Sequence, residues 1–437
     1  MAESIRAQEG GLETEFHCTF SHTMADISAS DWDSLKASEQ ADYPFTQYAY
    51  LAALEDSGCL GEQSGWIAEH VLVWQGSRRV AAMPLYRKLH SWGEYVFDQG
   101  WAQAYELHGR RYYPKLVTAI PFTPCVGPRL LCSVALRAEL WPQLLVAIQA
   151  YCHRESISSW HLLFSEDREY PLVTADQRKF GGDILDAQCI LPIRSGVNDP
   201  RSRCLLAGES QPMVSTDLLL RTDVQFHWFN RGYGSFAEFL QRMSSRKRKK
   251  IKRERRRIVE AKIEMRRLIG TDLNASVWPQ FYTFYAATYR KRGRAPYLSL
   301  ACFEQWAQSL QNQMLLVMAY RGPQPVAAAL SFFDHQALYG RYWGCLEEYH
   351  SLHFETCYYQ GIDFCIERGL QRFDSGAQGE HKIARGFEAV KTTSLHWIKE
   401  PEFRQAIGRF LERENSYIER YQQAAMDALP FGQRQDD

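Results

Sequence analysis

The residues best suited to chemistry lie in the second half of the chain, in the stretch from Asp374 to Arg385. Asp374, Glu380, His381, Lys382 and Arg385 stand close together there. A carboxylate or an imidazole can take a proton, and an ammonium or guanidinium can meet an oxyanion. Together they suit the acylation of an amine. A free amine attacks an ester or thioester carbonyl, a base removes its proton, and a cation stabilises the developing charge. Lys382 is the first candidate for that cation; the other reading is a solvated loop lysine. Glu380, His381 and Glu355 are candidate bases, each with a structural role as its alternative. Asp374 follows an aromatic strand, where capping a turn is its other reading.

Two strands and a helix must position these groups. A strand over Ala337–Cys345 precedes a helix over Phe354–Arg368, which Gly369 stops, and a strand over Gln371–Asp374 follows. The helix begins at His353 and Glu355, so its free N–H groups are expected to point to the same region. Arg341, Tyr342 and Trp343 alternate along the first strand, which predicts Arg341 and Trp343 on one face. Arg341 meets a phosphate or carboxylate there, or closes a buried salt bridge. Cys345 and Cys357 have no paired base in the sequence and read as small buried thiols.

The chain has 437 residues, too many for one ordinary hydrophobic core. Strands are predicted at Phe16–Ile27, Ala68–Trp74, Val80–Leu85 and Trp160–Phe164. A helix start at Ser30, a helix over Phe45–Ser57 and another over Val134–Arg154 stand among them. Residues 166–215 hold Gly181-Gly182, Pro192, Pro200, Gly208 and Pro212 without periodicity, and read as a long loop. After a strand over Asp217–Phe229 the order recurs. A strand Lys262–Leu268 precedes helices at Ala275–Arg290 and Ser299–Gln311. The meander Met314–Tyr320, Val326–Phe333 and Ala337–Cys345 comes next, and Thr393–Ile398 is a last strand before a helix beyond Pro401. This is the order of the GNAT acyltransferase fold. The expected class is α+β (α/β), two tandem GNAT-like domains at 12–215 and 216–437, each a mixed sheet flanked by helices, with a basic helix at 235–260 between them.

Net charge is zero, with 51 basic and 51 acidic residues. From Arg242 to Arg257, however, eleven Lys or Arg face the single acid Glu254. Eleven cations over about four turns predict an exposed, protruding segment, with a solvated face or an anionic partner as its use. No apolar run reaches membrane-spanning length, and the start carries no secretory signal pattern, so a cytoplasmic protein is expected. Eleven dispersed cysteines without a Cys-x-x-Cys pair read as reduced thiols and give no metal site. In the first half Tyr95, Asp98, Trp101, Tyr105, Tyr112, Tyr113, Lys115 and Arg129 concentrate aromatic and polar groups. They suit either a cleft for a polar acceptor or a packed seam between the halves.

Several blocks carry a more specific resemblance. They include Gly93-Glu94-Tyr95-Val96-Phe97-Asp98, Arg111-Tyr112-Tyr113-Pro114-Lys115-Leu116, Tyr339-Gly340-Arg341-Tyr342-Trp343-Gly344-Cys345 and Gly376-Ala377-Gln378-Gly379-Glu380-His381-Lys382. Over nearly its whole length the chain resembles the FemAB-like subgroup of the GNAT superfamily, associated with peptidoglycan biosynthesis or recognition. The resemblance implies a transferase without a tightly bound cofactor. It would move an aminoacyl group from aminoacyl-tRNA to an amine of a cell-wall precursor or small metabolite. It places the acceptor cleft in the first half, with Tyr95, Asp98, Trp101, Tyr105, Tyr113 and Lys115. Transfer falls to the second half, with Lys382 near the position of a family lysine and with Arg341, Trp343 and Arg385 near substrate. It also directs tRNA to Arg246, Lys247, Lys249, Lys250 and Arg253. Acyl-CoA is the alternative donor. The stretch Gly344–His353, however, lacks the glycines that wrap a CoA pyrophosphate and carries Glu347 and Glu348 instead. A non-catalytic RNA- or precursor-binding protein is the third reading.

Overall fold

The computed structural model describes residues 16–166, 193–195, 218–376 and 379–431. The loop read at 166–215 and the division between 215 and 216 lie almost wholly outside them.

The first half runs β1 (Phe16–Ser21), α1 (Ala29–Asp33), α2 (Tyr48–Asp56), β2 (Trp66–Ala68), β3 (His70–Gln75) and β4 (Arg78–Met83). It continues with β5 (Tyr86–Lys88), α3 (Gln99–Leu107), β6 (Lys115–Thr118), β7 (Leu131–Cys132), α4 (Val134–Arg154), β8 (Ser159–Leu163) and β9 (Ile193–Ser195). The second half opens with β10 (Leu219–Phe229), α5 (Phe236–Gln241), α6 (Ser245–Glu260), β11 (Ile263–Ile269), α7 (Val277–Arg290) and α8 (Leu300–Leu310). The meander β12 (Met314–Arg321), β13 (Gln324–Phe333) and β14 (Ala337–Cys345) follows. Helix α9 comprises Leu352–Phe354, a π-helical turn at Glu355–Tyr359 and Gln360–Arg368. The chain ends in β15 (Arg372–Asp374), β16 (Glu388–Ile398) and α10 (Pro401–Asp427).

The repeat is visible in the strand order. One sheet reads β7-β4-β3-β1-β9, and the other contains β14-β13-β12-β11 in the corresponding order. That second sheet does not stop at its own half. It runs on through β15, β10 and β16 to β8, β6, β5 and β2, eleven strands among the described residues. The junction is antiparallel pairing of β16 with β8, from Ser394 opposite Leu163 to Ile398 opposite Ser159. The two halves are thus tandem GNAT-like units joined along a sheet edge. Their largest core also crosses between them: Tyr50 of α2 stacks on Trp306 of α8 at 4.5 Å, and Phe45 meets Phe332 and Tyr339.

The basic segment departs from expectation in two ways. The chain does not form one helix from 235 to 260; it breaks at Arg242–Ser244. Met243 is buried there, bridges to Phe431, and the Ser244 N–H donates to Pro430 O at 2.8 Å. Nor does α6 protrude. Ile251, Glu254 and Ile258, spaced three and four apart, give it one buried stripe. Arg246, Lys249, Arg253 and Arg256 recur at the same spacing on the opposite, exposed face.

Candidate active site

β14 and β15 run parallel for only three pairs, ending with Tyr339 opposite Asp374. Beyond that pair β14 continues to Cys345 while β15 stops, so the strands part and leave a wedge. Leu330 of β13 pairs with Tyr342 and Ser331 with Gly340, which makes Arg341 an extra, bulged residue. A bulge re-aims side chains and breaks their alternation. Arg341 and Trp343 therefore do not share a role on one face. Trp343 meets His353 of α9 at 5.3 Å, while Arg341 donates through Nη2 to Phe122 O of the first half at 2.7 Å. Arg341 Nε is buried without a partner, and no carboxylate bridges this guanidinium among the described residues. Gly344 completes the strand. A Cβ there would lie 1.9 Å from Phe284 O, so only glycine lets α7 approach.

A loop of the first half, Pro121–Val126, closes over the wedge. Gln225 of β10 donates to Pro124 O at 2.6 Å, and Cys125 lies beside Asp374. Asp374 is buried, accepts from Gly376 N–H at 2.8 Å and lies 3.6 Å from His227 Nε2. Burial holds His227 neutral, its pKa lowered to about 4.

Lys382 sits beneath this group, on the two-turn 3-10 helix Glu380–Arg385. Its ammonium donates to Ser375 O and Gly376 O, both at 2.8 Å. An ammonium has three donors, so one remains. Only 2% of the residue is exposed, and burial lowers its pKa to about 8, with Asp374 opposing the shift. His381 is exposed. Its Nε2 shares a hydrogen bond of 2.9 Å with the Tyr358 hydroxyl, and its ring covers Gly379 so closely that a Cβ would meet Cε1 at 2.6 Å. Burial lowers the His381 pKa as well, so at neutral pH the imidazole is the free base. Cys357 lies near Lys382, and burial raises its thiol pKa, which suits an inert thiol.

The remaining candidates go elsewhere. Glu355 is buried but turns to α6, accepting from Arg255 at 3.1 Å and Gln360 at 2.8 Å. Arg385 is tied down: Nη2 reaches both oxygens of Glu254 at 3.0 Å, Nε reaches Tyr359 and Nη1 reaches His381 O. It fastens the lysine-bearing turn to α6. Glu380 is exposed and accepts from Tyr421 at 3.1 Å. In the first half Tyr95 stands beside Arg341. Asp98, Trp101, Tyr105 and Lys115 are packed into the seam. Lys115 binds Glu94 at 2.8 Å and Asp98 more closely, Trp101 faces His396 at 4.9 Å, and Tyr105 stacks on Phe403 at 3.8 Å. Tyr113 lines an open depression with Gln99, Gln103, Arg110 and Arg111. The sequence reading passed over His161 and His396, whose Nδ1 atoms meet at 2.6 Å across the β8–β16 junction. Lone histidines in apolar strands give no signal until pairing joins them.

Among the described residues no helix is long and apolar enough to cross a membrane, and no cluster of His, Cys, Asp and Glu could hold a metal ion. The nine described cysteines are free thiols.

Similar solved structures include that of FemX, at 11% identity and a TM-score of 0.46 over 87% of this chain and 98% of that one. A second is the C-terminal domain of a putative lysylphosphatidylglycerol synthetase from Agrobacterium fabrum, at 7% identity and 0.47 over 91% and 97%. A third is a tandem GNAT protein from the clavulanic acid biosynthesis pathway, at 9% and 0.39 over 89% and 99%. No curated protein matches. The FemAB-like family model, described as peptidoglycan biosynthesis/recognition, matches residues 23–180 and 203–433, and the chain belongs to that family.

Proposed function

We propose that this chain is an aminoacyltransferase that moves an aminoacyl group from aminoacyl-tRNA to the amine of a cell-wall precursor or small metabolite. The observation that carries this reading is Lys382, a buried ammonium with one N–H unspent, at the foot of the wedge between β14 and β15. An ester carbonyl brought into the wedge accepts that N–H, and the oxyanion formed on attack by the amine is stabilised in a site shielded from water. His381 is neutral and exposed, and takes the proton from the attacking ammonium before attack. When the tetrahedral intermediate collapses, the ester C–O bond breaks, the acylated nitrogen sheds its excess proton, and the leaving ribose oxygen takes it up. Arg341, with a buried donor unspent, receives an anionic group of donor or acceptor, with Tyr95 beside it.

The outward cations of α6 supply the tRNA contact. Arg246, Lys249, Lys250 and Arg253 are exposed, and Lys247 is half-buried beside them. Phosphate contacts of this kind give affinity and position without reading sequence. The test is binding and transfer with charged tRNA, uncharged tRNA and acetyl-CoA, side by side at two salt concentrations. Salt-sensitive binding of charged tRNA, with label passing to an amine, supports the proposal. Tight CoA binding with indifference to tRNA overturns it in favour of an acetyltransferase. RNA binding unaffected by loss of Lys382, with no transfer, favours the non-catalytic reading.

A further inference from the structure

Arg341 is a cation whose anion the fold does not supply. Of the five N–H groups of its guanidinium, the described residues take one, at Phe122 O. Its surroundings are aromatic rings rather than carboxylates. The guanidinium lies 5.5 Å from the Tyr342 ring, Tyr342 packs on Tyr285 of α7 at 5.5 Å, and Tyr285 packs on Tyr289 at 5.0 Å. Tyr289 meets Tyr297 at 5.4 Å, and Tyr297 stacks on Phe122 at 4.8 Å. That returns the circuit to the residue whose carbonyl Arg341 holds. Arg341, Tyr289 and Tyr297 are only half-buried, so the circuit keeps a side open to solvent.

A guanidinium set among rings without a counter-charge is costly, and an arriving anion repays that cost. Strain points to the same place. Phe122 and the half-buried Tyr95 both hold left-handed backbone, with φ of 56° and 62°. Non-glycine residues keep such conformations where the surrounding structure fixes a site. The position also suits the chemistry. Arg341 stands on β14 two positions beyond Tyr339, the last residue paired with β15, at Asp374. Lys382 donates to Ser375 O and Gly376 O, directly after Asp374. The two cations thus flank the wedge from opposite strands.

We infer that Arg341 seats a free carboxylate of the amine acceptor, which makes that acceptor an amino acid or a peptide with its carboxylate near the reacting amine. The inference rests on the transferase reading above and names the substrate class for its site. One guanidinium balances one negative charge. A phosphate dianion would leave surplus charge against aromatic walls, whereas a carboxylate matches the guanidinium in charge and in planar donor geometry. The carboxylate belongs to the acceptor, because the α-carboxyl of an aminoacyl ester is tied up in the bond to be broken. Held at Arg341, it directs the amine of the same molecule to a carbonyl at Lys382.

The experiment presents the full chain with the common amino acids and a panel of dipeptides, each as free acid and as carboxamide, and with inorganic phosphate. Thermal shift and calorimetry read binding, and labelled transfer is followed separately. At least one acid is expected to bind about tenfold or more tighter than its amide, with phosphate failing to displace it. Arg341→Gln, which keeps a donor for Phe122 O, should erase the preference. Amides binding as well as acids, phosphate displacing the acid, or no acid binding at all would each overturn the inference. Acids and amides receiving label equally would sink it while upholding the transferase. An acid that binds through Arg341 yet receives no label would uphold the carboxylate site and count against the transferase. The acid–amide comparison uses wild-type protein and does not depend on the variant folding.

Discussion

Lys382→Met separates catalysis from stability at the candidate site. Burial holds the lysine at about 8 against an ordinary 10.5. Keeping it charged in place at neutral pH therefore costs about 3 kcal/mol relative to water. Methionine matches its length and removes that cost, but strips the donors from Ser375 O and Gly376 O. Each bare carbonyl costs about 1–3 kcal/mol. The terms oppose one another, so the stability read from the urea midpoint should lie between a gain of about 1 kcal/mol and a loss of about 3 kcal/mol. The transfer rate should fall far more, by about 10²–10³-fold, the usual effect of losing an oxyanion donor. Single-turnover transfer of labelled amino acid from charged tRNA to an amine reads the rate. A second signature comes from pH. Between about 8 and 10.5 the unfolded chain holds a proton on this lysine that the native chain has released. Native stability therefore rises with pH over that window, and Lys382→Met should lack this rise. The part of the rate that needs the ammonium falls as pH passes 8. A folded Lys382→Met protein transferring within about threefold of wild type would remove Lys382 from the mechanism.

Other expectations follow from the same contacts. Glu254→Gln leaves buried Arg385 facing a neutral partner, and should cost about 3 kcal/mol in the urea midpoint; an unchanged midpoint would deny that this pair holds the lysine turn to α6. Reversing charge at Lys249, Lys250 and Arg253 should weaken tRNA binding steeply at low salt and flatten its salt dependence by about 0.7–0.9 for each phosphate no longer neutralised. If neither affinity nor slope moves, α6 serves another purpose. His161 is held by burial at about 3, so below its ordinary 6.5 the unfolded chain gains a proton that the native chain refuses. Stability should drop as pH falls between those values, and His161→Asn should flatten that limb; an equally steep limb would place the acid sensitivity elsewhere.

The second half was the more legible in sequence. The strands of its meander and the helix stop at Gly369 fall where turn residues and apolar periodicity put them. Local signals fail where distant chain decides. The break after α5 depends on Phe431 and Pro430 gripping Met243 and Ser244, nearly two hundred positions away. The bulge at Arg341 depends on how β13 pairs, which alternation alone does not reveal. β2, β5 and β6 are too short to show a period, yet they extend the large sheet. At the candidate site, residue types pointed to Lys382 and His381. Sequence alone did not show that Arg385 and Glu355 are spent on α6, because ion pairing across a hundred residues or more leaves no local trace.

The pairing of β16 with β8 makes each half the other's edge protection. Cut between the halves, β8 would present five residues of unpaired backbone and β16 would present the matching five. Both edges carry tryptophans, Trp160 opposite Trp397. Such naked, apolar edges recruit other strands and aggregate. Two fragments mixed from denaturant should therefore complement one another, and either alone should precipitate. The same seam constrains turnover. Halves joined through one continuous sheet cannot hinge open like two independent lobes, so on the proposed reading substrates enter through the wedge between β14 and β15 and the loop that covers it.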